Sequence, residues 1–513
     1  MDFYPKKADK LLQIVMISKT NFQLINTSGL TTTFNMKQQL LLVLLVFSTN
    51  YLAHAQVPES YSVYDCIEYA VENAAQMKNA RLNELSAEAR VKETIGIGLP
   101  QVTGSVSVQH SPTLQRFFST YNAPPTGQEG SGFGVSPAQA ADLGIQDGDV
   151  YAAENFFQLQ SAGDASLSIN QLIFNGSYIV GLQASQAYKD LSIKQREETE
   201  GRIAVAVGKA YFSVLINEDR LKLFDANLAR IDTLYRNTKE MYVNGLVEQM
   251  EVDRLKVTLN NLKTEKSNFE DLVKLTRQLL KFQMGYPLDQ PIALSASIQE
   301  MLDAEYDPIT LDVNYNDRPD YQVLLANMKL QELSIKNKYA ESLPTLGAFA
   351  NLGMSTQSPT FGGIFKTESG FSEQSGVGPD QWYGYSSLGL SLRWNIFSGL
   401  QRNYQIQQEK ISLEQIELGL DNLQNQINVE VMDASITFQS AIERLDVQRE
   451  NVDLAERVFN NAKIKYEEGV GSSLELVEAD RSLKESQTNF YNTIFEAILA
   501  KIDLDSAKGL TRK

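Results

Sequence analysis

Late in the chain, apolar residues recur in alternating steps of four and three: Ile427, Val431, Ala434, Phe438, Ala441, Leu445, Val452, Ala455, Phe459, Ala462 and Tyr466, with Gln448 the only polar member of the series. A period near 3.5 is that of a coiled-coil seam. The seam resumes beyond Gly469 as Leu476, Ala479, Leu483, Ser486, Phe490, Thr493, Ala497, Ala500, Leu504 and Ala507, where large and small residues alternate. Two antiparallel helices folding back at Gly469 to Gly471 would interdigitate these seams. A helix from about Gly399 to Glu468 approaches roughly 100 Å at about 1.5 Å per residue, too long to be wrapped inside one compact domain.

Proline placement marks where such helices can lie, because an interior proline removes a hydrogen bond and clashes with the preceding turn. None occurs between Pro137 and Pro287, or after Pro379. The first of these windows predicts the same plan as the second: a helix from near Ser177 to Val243, a turn at Asn244-Gly245, and a return ending near Gly285-Tyr286-Pro287. Gly181, Gly201 and Gly208 should weaken that helix locally.

Four segments alternate at period two instead. Val106 and Val108 oppose Thr103, Ser105, Ser107 and Gln109 in Val102 to His110. Ser166 to Phe174 starts an apolar face with Leu167, Ile169 and Ile173, and Leu346 to Met354 continues it with Leu346, Ala348, Ala350, Leu352 and Met354. In Ser386 to Phe397 the apolar face is Leu388, Leu390, Leu392, Trp394 and Ile396. Each segment has the length of a tilted strand crossing a bilayer. Ser111 to Gly163 and Ser355 to Gly384, rich in Gly, Ser and Pro, join the strands of each pair as long loops. Four strands cannot close a barrel, and an open edge in lipid leaves backbone groups unpaired. Several copies must therefore share one barrel; two would fill its interior with side chains, whereas three leave room for a lumen.

The elements come twice in the same order. Leu99-Pro100 answers to Leu343-Pro344, Leu167 to Gly176 answers to Leu390 to Gly399, and Tyr242-Val243-Asn244-Gly245 answers to Tyr466-Glu467-Glu468-Gly469. The displacement shrinks by about twenty residues after the first pair, so one loop is longer than its counterpart. The expected organisation is a leader and signal peptide over 1–55, a first repeat over 56–290 and a second over 291–513, each repeat a helix, two strands and a long helical hairpin.

The leader reading rests on Met36-Lys37, the apolar run Leu40 to Phe47 and Ala53-His54-Ala55, a secretory signal with cleavage expected after Ala55. Translation from Met36, or an unstructured leader before it, both stay open. Cys66 is the only cysteine and lies well past the cleavage site, so it forms no internal disulfide and is not placed as a lipid anchor. His54 leaves with the signal, and His110 alone remains. This excludes His/Cys metal clusters and histidine-based triads, and no nucleotide-binding glycine loop is present. No catalytic residue, cofactor or metal is expected. A formal charge of −17 in 513 residues also argues against nucleic acid.

The chain resembles the TolC-like outer-membrane efflux protein family from roughly Tyr61 to Gly509. The resemblance rests on Arg318-Pro319-Asp320 opening a helix that ends at Leu343-Pro344, on Trp394-Asn395-Ile396-Phe397-Ser398-Gly399 at a strand-to-helix junction, and on the two Tyr-x-x-Gly turns. It implies a mixed α and β membrane protein: a homotrimer with a twelve-stranded barrel in outer-membrane lipid of a Gram-negative bacterium, continued by a coiled-coil helical tunnel in the periplasm. It implies a passive exit duct for small molecules, docked to a periplasmic adaptor (membrane fusion) protein and driven by an inner-membrane transporter. The hairpin turns would be the adaptor-contacting tips, Gly245, Leu246, Val247, Gly469, Val470 and Gly471, although tight helical turns need glycine in any case. Glu475 and Glu478 match the acidic positions that line the family's periplasmic constriction, and their spacing puts both on one helix face. A solvated helix face is the plain alternative. Glu251 occupies the matching slot in the first repeat and by the resemblance joins them at the periplasmic constriction, holding the tips closed. Two departures stand out: glutamates replace the familiar aspartates, and Gly471 stands where a gate-linking arginine can occur. A duct for secreted polypeptides would use the same architecture, and an exported coiled-coil protein without a pore is the remaining alternative.

Overall fold

The computed structural model describes residues 60–124, 135–153, 155, 157–295, 312–366 and 382–510, and residues 61–513 form one unit. The leader and the cleavage site lie outside the described residues. Helices α1 (Val63–Asn73) and α2 (Ala75–Ile97) lead into strand β1 (Gln101–His110). Strands β2 (Phe117–Thr120) and β3 (Val150–Ala153) flank a short helix α3 (Pro137–Leu143), and β4 (Ser161–Phe174) runs into α4 (Gly176–Val243) and α5 (Gln249–Met284). Then come α6 (Pro319–Ala340), β5 (Thr345–Ser358), β6 (Tyr383–Arg393), α7 (Gln401–Glu467) and α8 (Ser473–Ala507).

The seams predicted from periodicity are the cores of the long helices. Ile427, Val431, Phe438, Ala441, Phe459 and Tyr466 of α7 are buried, as are Leu476, Leu483, Ala497 and Leu504 of α8. α4 runs unbroken through Gly181, Gly201 and Gly208. Gly201 and Gly208 are buried, and Ile502 of α8 lies at ordinary van der Waals distance from where a side chain on Gly208 would sit.

The returning helices are half the length of their partners, 36 and 35 residues against 68 and 67. Each long helix is therefore accompanied by two shorter ones placed end to end. The end of α5 meets the break between α1 and α2, where a side chain on Gly285 would strike the Asn73 carbonyl; the end of α8 meets the start of α6, where one on Gly509 would strike that of Asp317. At the second junction Arg318 donates to the carbonyls of Ser506 and Ala507 and pairs with Asp320 and Glu430. Orphan carbonyls at the end of α8 thus meet a buried guanidinium.

Four strands form one antiparallel sheet in the order β1-β4-β5-β6, so the two halves of the chain meet at β4 and β5. The register sorts its residues into two faces. Val102, Val106, Val108, Leu167, Ile169, Leu346, Ala350, Leu352, Leu388, Leu390 and Leu392 share one face, which carries no Asp, Glu, Lys or Arg. The other carries Ser105 bonded to Ser166 and a chain from Ser168 through Asn351 to Ser387.

Two strand expectations need correction. The last strand ends at Arg393 rather than Phe397, because its partner β5 begins only after Pro344, which has no N–H to give. Trp394 and Ile396 therefore leave the sheet, and the Trp394 indole donates to the Ser342 carbonyl instead. The first long loop is also not irregular throughout: β2 and β3 pair within it, and a Ser136/Gln139 capping box starts α3.

Candidate functional site

Both Tyr-x-x-Gly segments close their helices in the same way. In the first, Gly245 N–H donates to Tyr242 and Leu246 N–H to Met241; in the second, Gly469 N–H donates to Tyr466 and Val470 N–H to Lys465. These are the two bonds of a Schellman motif, and Gly245 and Gly469 take its left-handed position at φ 74° and 76°. The turn alone accounts for both glycines. Gly471 is needed for a different reason: a side chain there would collide with Lys465 and Tyr466.

Beyond the glycines, the tips expose apolar side chains. Leu246 is 71% exposed and Val470 79%, while Val247 is half-buried. Val243, Met250 and Leu474 are exposed beside them, which the sequence reading did not single out. Their positions just outside the seams were the available signal.

The three glutamates separate into different environments. Glu475 and Glu478 are both exposed on the first turns of α8, and Ser472 caps that helix by accepting from Glu475 N–H at 3.2 Å. Glu475 pairs with Lys465 across the turn at 3.2 Å, so it is not a bare acid. Glu478 makes no ion pair among the described residues. Both line a groove of about 620 Å³ between α7 and α8 with Lys465, Leu474 and Val458. Glu251 lies apart from them: it accepts from the buried Tyr466 hydroxyl at 3.3 Å, which also meets Thr238 Oγ1 at 2.9 Å. Burial raises the Tyr466 phenol above its ordinary range, with a smaller push from the Glu251 charge.

A buried pair above the tips escaped the sequence reading. Asp480 on α8 meets Arg230 on α4, with Nε at 3.0 Å and Nη2 at 2.9 Å from the same oxygen. The guanidinium stacks 4.7 Å from the Phe459 ring and donates to Asn227. Burial pushes the Asp480 carboxyl up, while Arg230 pulls it down. Arg254 of α5 donates to Ser473, and Lys484 pairs with Glu265. At about 100° per residue, Ser473, Asp480 and Lys484 share one face of α8, and Glu475 and Glu478 point from the opposite one.

Comparison with known proteins follows from this architecture. A family model described as outer membrane efflux protein matches residues 66–286 and 315–509. Two curated relatives from Pseudomonas putida, the probable efflux pump outer membrane protein TtgC and the antibiotic efflux pump outer membrane protein ArpC, are each 21% identical over 446 residues, covering 86% of this chain and 82% of the relative. Among solved structures, the open state of the Neisseria gonorrhoeae MtrE outer membrane channel is similar with a TM-score of 0.63 at 15% identity, covering 87% of this chain and 88% of that one. The outer membrane protein VceC of Vibrio cholerae is similar with a TM-score of 0.60 at 16% identity, covering 87% and 96%. At that identity the likeness concerns the fold.

Proposed function

The chain belongs to the outer membrane efflux protein family, a family of channels and not of enzymes, and from that premise we propose that three copies build one duct through the outer membrane and across the periplasm. In this reading the chain is a structural duplication with repeats over 56–290 and 291–513 behind a cleaved leader. The long hairpins form the periplasmic tunnel, and a periplasmic adaptor and an inner-membrane transporter supply the drive. The cargo is small molecules, in keeping with the names of the curated relatives.

One observation carries the proposal: the uncharged sheet face. Leu388 is 87% exposed, Val106 77% and Leu390 69%, in a band that would cost roughly 25 cal/mol for every Å² left in water. Lipid removes that cost. Strands β1 and β6 are the outer members of the sheet, and joining β6 of one copy to β1 of the next satisfies their unpaired backbone groups. Three copies of four strands then close a twelve-stranded barrel with the hydroxyl and amide face inward.

At the periplasmic end, Gly245, Leu246, Val247, Gly469, Val470 and Gly471 serve as adaptor contacts, since exposed apolar tips suit a partner. Glu475 and Glu478 form the constriction, each repeated threefold around the axis. Glu251 joins them in holding this end closed, bracing Tyr466 where the two hairpins meet. The mass of the detergent-purified protein tests the assembly. Three chains per particle in an outer-membrane fraction is the expected result; a monomer soluble without detergent would contradict it.

A further inference from the structure

The inward face of the sheet is neutral almost throughout, which makes its charges informative. Among the described strand residues on that face, β1 offers Gln101, Thr103, Ser105, Ser107 and Gln109, and only two positions on the four strands are charged: Asp164 on β4 and Arg393 on β6. They lie at opposite ends. Asp164 pairs in register with Ser355 near the end of β5 remote from the helices, whereas Arg393 pairs with Thr345, the first residue of β5 and next to the helical part. Ten positions of β5 separate those levels, about 34 Å along the strand at about 3.4 Å per residue. That exceeds the Debye length of about 8 Å at physiological salt, so each charge acts on a passing ion separately.

The two are held differently. Tyr385 of β6 lies across β5 and donates to Asp164 Oδ2 at 2.8 Å. It can do so because Gly353 stands beneath it: a side chain at that position would lie 2.5 Å from the tyrosine ring. Tyr385 thereby fixes the direction of the carboxylate along the wall without removing its charge. Arg393 is exposed, and no carboxylate pairs with it among the described residues. Nothing in the sheet requires a cation there; its counterpart in the first half of the chain, by the Leu-Ser-x-x match, is the neutral Asn170.

We propose that Arg393 is a specificity-determining residue of the duct, forming a threefold cationic ring where the tunnel enters the barrel, with a threefold Asp164 ring at the outer end. The inference rests on the barrel reading above. The inner ring holds back cations arriving from the tunnel and favours anionic or zwitterionic solutes, and the outer ring has the opposite preference. Charge order along the duct is then acidic at the tips, basic at the barrel entrance and acidic at the exit.

Reversal potentials in planar bilayers under a KCl gradient test this with the assembled protein. Arg393→Gln is expected to raise the K⁺ to Cl⁻ permeability ratio about threefold at low salt, an effect that shrinks as salt screens the ring. Arg393→Lys, which keeps the charge, should restore the original ratio, and Asp164→Asn should lower it. A conducting wild type with an unchanged ratio in Arg393→Gln would overturn the inference while leaving the channel reading intact. A wild type that does not conduct would overturn the channel reading itself. Should the glutamine variant fail to assemble, Arg393→Cys modified in the open channel by cationic and anionic thiol reagents must shift the ratio in opposite directions, and an equal response to both would refute the ring. The native Cys66 does not interfere, because it is fully buried and its thiol is pushed up to about 12 by burial.

Discussion

Tyr242 and Tyr466 occupy the same place in the same turn, yet they do different work. Each supplies the carbonyl that receives the glycine N–H of its Schellman motif. Tyr242 is exposed, whereas Tyr466 is buried against the first hairpin and joins Thr238 of α4 to Glu251 of α5. The fixed ends of the hairpins differ in the same sense. At the first, the α5 end rests on the Asn73-Ala74 backbone; at the second, Arg318 gathers two carboxylates and two carbonyls. A local motif shapes the turn, but long-range partners decide which tyrosine ties the two hairpins together.

The sharpest test of that difference is the Arg230–Asp480 pair. Arg230→Leu leaves a buried carboxylate without its partner and should destabilise the protein by about 3 kcal/mol, read as a lower melting temperature of the purified protein. The double variant Arg230→Leu/Asp480→Leu should recover most of the loss, since two apolar groups replace two desolvated charges. A double variant as unstable as the single one would mean that packing around Phe459, not the pair, sets the cost.

A smaller effect separates the two tyrosines. Tyr466→Phe should cost about 1–2 kcal/mol, because it leaves Thr238 without that partner in a buried setting. Tyr242→Phe, at an exposed turn, should stay within about 0.5 kcal/mol. Equal melting shifts for the two would erase the asymmetry. Smallest of all is the expected contrast at the glycines: Gly245→Ala and Gly469→Ala should each cost about 1 kcal/mol, since the left-handed backbone is the same in both turns. Unequal losses would show that the turns are not equivalent.

What was legible in the sequence is what period and turn chemistry encode. The seam from Ile427 to Tyr466 and the alternating strand faces depend on neighbours a few residues away, and so do the Tyr-x-x-Gly turns. The misses depend on distant residues. The end of β6 is dictated by Pro344, just before its partner strand, and the Arg230–Asp480 pair joins residues 250 positions apart. Lys465 reaches Glu475 only because the turn between them folds back, which spacing on one helix could not disclose. Pairing of β2 with β3 was hidden by the Gly, Ser and Pro content of their loop, where short strands leave little periodic signal.

The central claim is that the assembled chain is a duct whose periplasmic end is set by Glu475 and Glu478. Planar-bilayer conductance of the detergent-purified protein, compared with Glu475→Ala/Glu478→Ala, addresses it directly. The account predicts a conducting wild type whose block by polyvalent cations from the tip side is lost in the double variant, with trimer formation unchanged. Identical conductance and block in both would contradict the constriction, and no conductance in either would contradict the duct.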